Sequence, residues 1–379
     1  MQRRIFEEEH NIFRESFRAF MQQEVVPRRD EFLEQGYVSK EVWKKSGDYG
    51  FLIPAAPENL GGLGINDFRY EQIMAEEMGL CGESGLLVYL HNTIVAPYFL
   101  KYASEALKEK YIPAAVRGES VLAIAMTEPD FGSNLAGMRT TAKDMGDHYL
   151  LNGSKIFISN GVIGDVFVVA ARTSDQAKEA ISLLVVEAGV EGFARGRKLK
   201  KMGMHSQDTA ELVFDNVKVP KGNLIGEQGK GFYYLMSGLA EERAVVAIWN
   251  LATAVHAFEE TLAYVKDRQV FDKPLGAYQN TQFTLAGLKA KLDIAQAYLD
   301  RLVEDINDGS VDSTDAATAK LICSELQGEV VDQCLQFFGG HGYMDEYPIS
   351  RLYADARITR IFAGTSEVMK MIIGKSLDL

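Results

Sequence analysis

One carboxylate stands out for the company it keeps. In LMSGLAEERAVVAIW, residues 235–249, helical spacing places Leu235, Leu239, Val246 and Trp249 on one face, with Glu242 in the middle of that apolar arc. Glu241 lies about 100° round the helix, nearer the edge of the arc. A carboxylate in an apolar setting is costly unless it is paired or functional. Burial would also raise its proton affinity toward what a general base needs. The residues alone leave two readings open: a proton-abstracting group in a dry pocket, or a buried partner for an arginine elsewhere in the same bundle.

Other segments carry ligand-binding residue types with weaker signals. TEPDFGSN, from Thr127, could hold a planar polar ligand through its hydroxyls and backbone N–H groups, but such residues ordinarily make turns. KIFISNG, from Lys155, alternates like a strand. Arg268, in YVKDRQVF, is either a solvated surface residue or a fork for a pyrophosphate, the group arginine suits best. Gly339 and Gly340, in QFFGG, allow close backbone approach. His205 and His341 read as packing or surface residues. Cys81, Cys323 and Cys334 are too scattered for a disulfide framework or a spaced metal site, so reduced thiols and no metal are expected.

These residues need a scaffold, and its outline shows in the texture of the chain. Phe13, Phe17, Phe20 and Met21 trace one helix face that ends near Pro27, and helical patterning resumes through EQIMAEEMGL. From about residue 121 short β-rich runs take over, and Asn152-Gly153 reads as a two-residue hairpin turn. ELVF at 211 and VKVP at 217 read as two of these runs. Beyond residue 229 the period returns to 3.6, with Leu285, Leu288, Leu292, Ala295, Leu299 and Leu302 on one stripe. The expected fold is therefore α+β multidomain: a helical domain over 1–120, an antiparallel β-barrel domain over 121–228 and a four-helix bundle over 229–379. A net charge of −13 argues against a nucleic-acid partner, and no apolar run is long enough to span a bilayer. With no signal core at the amino terminus, a cytoplasmic location is expected.

The motifs gain meaning from their order. AMTEP, LNGSKIFISNG, MG…QDTAEL, QFFGGHGYMDEYP, EYPI…DAR and IFAGTSEVMK together resemble the acyl-CoA dehydrogenase family over the whole chain, most of all its long-chain branch and next its isovaleryl branch. The resemblance implies a homotetramer that binds FAD and passes electrons to an electron-transferring flavoprotein. Met126, Thr127 and Ser133 would meet the flavin ring from one loop, with Phe157 and Ser159 from the following strand. Arg268, Phe271 and Gln279, with Gln336, Gly339 and Gly340, would hold the diphosphate and adenosine of a neighbouring subunit's cofactor. Thr365 and Glu367 would serve the cofactor at a helix start. Asp272 departs from the glycine common in the family, which puts the local turn in question.

The same resemblance implies α,β-dehydrogenation of a fatty acyl-CoA to its trans-2-enoyl-CoA, a base taking the α-proton while the β-hydrogen leaves as hydride to flavin N5. Many members carry the basic glutamate immediately before Gly-Thr of the last signature, where this chain has Ala363. The long-chain and isovaleryl branches place it on the first long helix of the final domain, which points to Glu242. The Ala363 backbone N–H would still polarise the thioester oxygen. Ser133, Tyr233, Arg243, Ala363 and Gly364 take the substrate-contacting positions. Glu367 is the rival base. A branched- or short-chain dehydrogenase, an oxidase or monooxygenase of the same fold, and an inert CoA- or nucleic-acid-binding scaffold are the competing functions.

Overall fold

Residues 3–174 and 180–378 are described by the computed structural model. Helix α1 (Glu8–Phe20) buries His10, Phe17 and Phe20. Its apolar face runs on through a π-helical turn, Met21–Val25, to a tight turn at Val26–Arg28, where Pro27 removes an N–H and stops the ladder. Helices α2 (Arg29–Gln35), α3 (Lys40–Asp48), α4 (Phe68–Leu80), α5 (Ala96–Tyr102) and α6 (Glu105–Val116) follow. A second π turn, Leu90–Val95, is buried throughout and leads directly into α5. Arg14 ties α1 to α4 through Glu76 and Glu77 at 2.7 and 2.9 Å.

The middle of the chain is a sheet of β1 (Leu122–Ala125), β2 (Thr141–Asp144), β3 (His148–Ser159), β4 (Val166–Arg172), β5 (Ile181–Glu187), β6 (Phe193–Lys198), β7 (Thr209–Pro220) and β8 (Leu224–Ile225). Its hydrogen-bonded order is β6-β7-β3-β2-β4-β5-β8, with β1 on β4. Most ladders are antiparallel as expected, but β1 and β2 each pair with β4 in parallel. A long loop, not a hairpin turn, follows β1, so nothing obliges it to run against its neighbour. Strands β6 and β8 end the path without bonding each other among the described residues, so it does not close as a barrel would.

The expected Asn152-Gly153 hairpin is wrong. Both residues lie inside β3, at a bulge where its register against β7 slips. Gly153 has φ 145°, and a Cβ there would stand 2.5 Å from Thr140 Oγ1. The glycine serves close approach rather than chain reversal. Asn152 Oδ1 accepts from the N–H of Asn216 at 2.8 Å, across from a matching left-handed residue in β7. That bulge also joins the two runs expected at 211 and 217 into one strand. The real reversal lies at residues 145–147, around Gly146 at φ 97°.

The final third is α7 (Gly231–Ser237), α8 (Leu239–Asp267), a short hairpin of β9 (Gln269–Val270) and β10 (Lys273–Pro274), then α9 (Gln279–Asn307), α10 (Ser313–Phe338), α11 (Pro348–Ala356) and α12 (Ser366–Lys375). All six residues of the α9 stripe are buried. The helix expected through 235–249 is interrupted at Gly238, so Leu235 belongs to α7 and Leu239 starts α8 half-buried. Phe271 and Asp272 form the hairpin turn with φ 48° and 66°. Two successive left-handed residues suit the twist of the strands, and aspartate tolerates that region better than most.

Candidate active site

Glu242 sits in the first turn of α8 and is 7% exposed. The Gly238 break makes room for it: a Cβ at Gly238 would lie 3.0 Å from Glu242 Oε1. From α5, the Tyr98 hydroxyl donates to the same oxygen at 2.9 Å. Burial pushes the Glu242 carboxyl up to about 7, and the Tyr98 hydrogen bond and the charge of Arg243 only partly oppose it. Among the described residues no cation lies within ion-pair distance of Glu242, so the geometry does not make it the partner of a bundle arginine. Glu241 takes the edge position, paired with Lys101 at 3.1 Å. Tyr102 stacks on Tyr234 and its hydroxyl meets Ser237 Oγ at 2.6 Å, so α5 grips both sides of the break. Arg243 is 5% exposed, its Nε has no hydrogen-bond partner among the described residues, and burial lowers its proton affinity. Tyr233 is exposed on α7.

A second piece is the turn before α12. Ala363 and Gly364 take left-handed φ values of 52° and 92°. Thr365 caps α12 by accepting from the Val368 N–H at 3.2 Å. Glu367 lies exposed in the first turn of that helix, where its own backbone N–H holds its carboxyl below the usual range. Such a group is a poor base beside Glu242.

The loop of residues 126–140 is pinned from beneath. Lys155 is wholly buried and donates to Glu128 Oε1 at 2.8 Å and to the Met126 carbonyl at 3.0 Å. Glu128 in turn accepts from the N–H groups of Arg139 and Thr140 at 2.6 and 2.9 Å. The Ile156 N–H meets the Thr127 carbonyl at 2.9 Å, which sets Thr127 beside Phe157 and Ser159. Phe157 is 63% exposed at φ 60°, a bare aromatic ring held out by the backbone. Ser133 lies further along the same loop, exposed.

Arg268, Gln336, Gly339 and Gly340 line a crevice of about 670 Å³ between α8 and α10. Among the described residues the Arg268 guanidinium makes no ion pair or hydrogen bond, and Gly339, at φ 58°, faces open space. Phe271 is 90% exposed on the adjacent hairpin, and Gln279 opens α9, also exposed. Within one chain no hydrogen bond or ion pair joins this group to the 126–159 set among the described residues. An unpartnered arginine, a glycine-walled crevice and a bare phenylalanine fit a flat, diphosphate-bearing cofactor. Among the described residues no cluster of three His, Cys, Asp or Glu is placed to hold a metal. Nor, among them, is any helix long and apolar enough to cross a membrane.

Sequence reasoning missed Tyr98, Glu128 and Lys155. Tyr98 reaches its partner across 144 positions, and nothing local marks it. Lys155 falls on the inward parity of Tyr149 and Leu151, but a lysine in a strand ordinarily reads as solvent-facing.

Three family models match in succession: the acyl-CoA dehydrogenase N-terminal domain over 7–119, middle domain over 123–217 and C-terminal domain over 229–377. The chain is 44% identical over 378 residues to the mitochondrial long-chain specific acyl-CoA dehydrogenase of Mus musculus, covering 99% of this chain and 88% of that protein. It is 36% identical over 377 residues to the mitochondrial isovaleryl-CoA dehydrogenase of Oryza sativa subsp. japonica, covering 98% and 92%. Its fold superposes on an acyl-CoA dehydrogenase from Geobacillus kaustophilus with a TM-score of 0.97 at 44% identity over 100% of each chain. An acyl-CoA dehydrogenase from Bacillus anthracis complexed with FAD gives 0.92 at 31% identity, over 98% of this chain and 67% of that one. An aromatic ring on the middle segment, and an unpaired arginine and a capped turn on the C-terminal one, agree with that likeness: the chain belongs to the acyl-CoA dehydrogenase family, and is an FAD-dependent oxidoreductase.

Proposed function

We propose that the chain dehydrogenates a long-chain saturated fatty acyl-CoA to its trans-2-enoyl-CoA, with Glu242 as the base. The observation that carries this reading is a buried carboxyl at about 7 with a neutral phenol, and no cation, bonded to it. Such a group is partly ionised near neutral pH and basic enough to take a proton made acidic by a polarised thioester. The Ala363 N–H, presented by a left-handed turn, serves as the donor to the thioester oxygen. Ser133, Tyr233, Arg243 and Gly364 serve substrate placement. Met126, Thr127, Ser133, Phe157, Ser159, Thr365 and Glu367 would hold one FAD, and Arg268, Phe271, Gln279, Gln336, Gly339 and Gly340 would complete the FAD site of a neighbouring copy. Bound FAD supplies the two-electron acceptor for the β-hydrogen. This sharing calls for a homotetramer, and the electrons pass onward to an electron-transferring flavoprotein. The chain divides for this work at 1–120, 121–228 and 229–379.

Anaerobic titration with acyl-CoAs of increasing length tests the reading. Flavin absorbance should bleach most completely and fastest with long straight chains. Preferential bleaching by isovaleryl-CoA would move the chain to the branched-substrate reading, and no bleaching by any acyl-CoA would defeat the dehydrogenase assignment.

Tyr98 offers a test of the base. Its hydroxyl favours the charged form of Glu242, so Tyr98→Phe raises the carboxyl's proton affinity further. The carboxylate is the working form: activity is present above its pKa and lost as pH falls through it. The acid limb of flavin reduction should therefore move to higher pH, by about one unit for a hydrogen bond to a charged group. An acid limb unmoved in Tyr98→Phe would remove either Tyr98 or Glu242 from this arrangement.

A further inference from the structure

Lys320, on α10, is wholly buried, and no carboxylate lies within ion-pair distance of it among the described residues. Its ammonium donates to the Gly364 carbonyl at 2.6 Å. Burial, reinforced by the charge of Arg243 on α8, lowers its proton affinity to about 8, with Glu367 opposing. A buried cation is an expensive way to fill space that an apolar side chain could occupy.

What the bond holds explains the expense. Left-handed backbone is unfavourable for alanine, so the turn at Ala363 needs outside support. Thr365 fixes its far end as the cap of α12. Met369 packs beneath Gly364 so closely that a Cβ there would lie 2.6 Å from Met369 Cε. At that same end Lys320 holds the Gly364 carbonyl, which lies two peptide units after the one that carries the Ala363 N–H. A charge-assisted bond to a carbonyl is the strong and directional kind.

We infer that Lys320 is a positioning residue: by holding the exit of the left-handed turn at the Gly364 carbonyl, it keeps the geometry that aims the Ala363 N–H toward the thioester oxygen. The inference rests on the proposed role of that N–H. It assigns the strength of the oxyanion site to a side chain wholly buried behind the turn.

The test uses the FAD-loaded protein and Lys320→Met, which keeps length and removes the donor. A bound 3-ketoacyl-CoA reads the oxyanion site directly, because its enolate puts negative charge on the same oxygen and absorbs in the near ultraviolet. In Lys320→Met the ligand should ionise about one unit higher in pH than on wild type. Flavin reduction should slow by about 100-fold, the order seen when one oxyanion donor is lost, while the acyl-CoA KM stays within threefold. Unchanged ligand ionisation in the folded variant overturns the assignment. Should Lys320→Met not fold, Lys320→Leu, shorter and likewise without a donor, takes its place, and ionisation matching wild type there overturns it equally. Wild-type protein that neither ionises the ketone nor reduces its flavin with any acyl-CoA would instead overturn the proposed function.

Discussion

Replacing Glu242 with glutamine should leave the fold and FAD binding intact and slow flavin reduction by about 10⁴-fold, equivalent to about 5.5 kcal/mol of barrier. The substitution is close to isosteric, and its amide oxygen can still accept from Tyr98, so the lost property is basicity. Acyl-CoA binding should persist, seen as perturbation of the flavin spectrum without bleaching. Stopped-flow reduction within about tenfold of wild type would leave only about 1.4 kcal/mol to explain and would exclude Glu242 as the base. Adding Ala363→Glu to Glu242→Gln extends the test. The backbone at 363 already sits in a left-handed conformation that alanine tolerates no better than glutamate. Recovered reduction in the double variant would show a pocket able to accept the base from either element.

Lys155→Met should be the most damaging change away from Glu242. It strands Glu128, 5% exposed, without its buried cation, and such a loss costs about 3–5 kcal/mol. The same ammonium holds the Met126 carbonyl, so the 126–140 loop should loosen and FAD retention should fall along with the urea midpoint. Pairing it with Glu128→Gln should restore part of both. The neutral amide removes the stranded charge yet keeps an oxygen for one of the N–H groups of Arg139 and Thr140 that Glu128 now satisfies. Equal midpoints for wild type and Lys155→Met would show that the pair is not what anchors the loop.

The family and the three-part α-β-α order were legible because each is written in local pattern and motif order. The α9 stripe is a pure 3.6-residue period and is buried throughout. Glu242 was legible in part: its apolar surroundings showed, but the Gly238 break that gives its carboxyl room did not, since a lone glycine in a helical pattern is usually tolerated. The Asn152-Gly153 misreading has the opposite cause. The pair is a strong turn signal, yet here Gly153 answers the nearness of Thr140, a contact that only the assembled sheet creates. Tyr98, Lys155 and Lys320 were invisible for a common reason. Each acts through bonds to partners far along the chain, 144 positions away for Tyr98, 27 and 29 for Lys155 and 44 for Lys320, and no periodicity records such bonds.

The π turn at Leu90–Val95 bears on how this site could be inherited. A π turn is an α-helix carrying one extra residue, so losing that residue would turn α5 by about 100° about its axis. Tyr98 would then swing away from Glu242 although no side chain had been exchanged. The phenol–carboxylate pair is thus gained or lost by a single-codon insertion or deletion, a different mutational route from substitution. Among homologues, a tyrosine at this place signifies the pair only where the preceding turn carries the same number of residues.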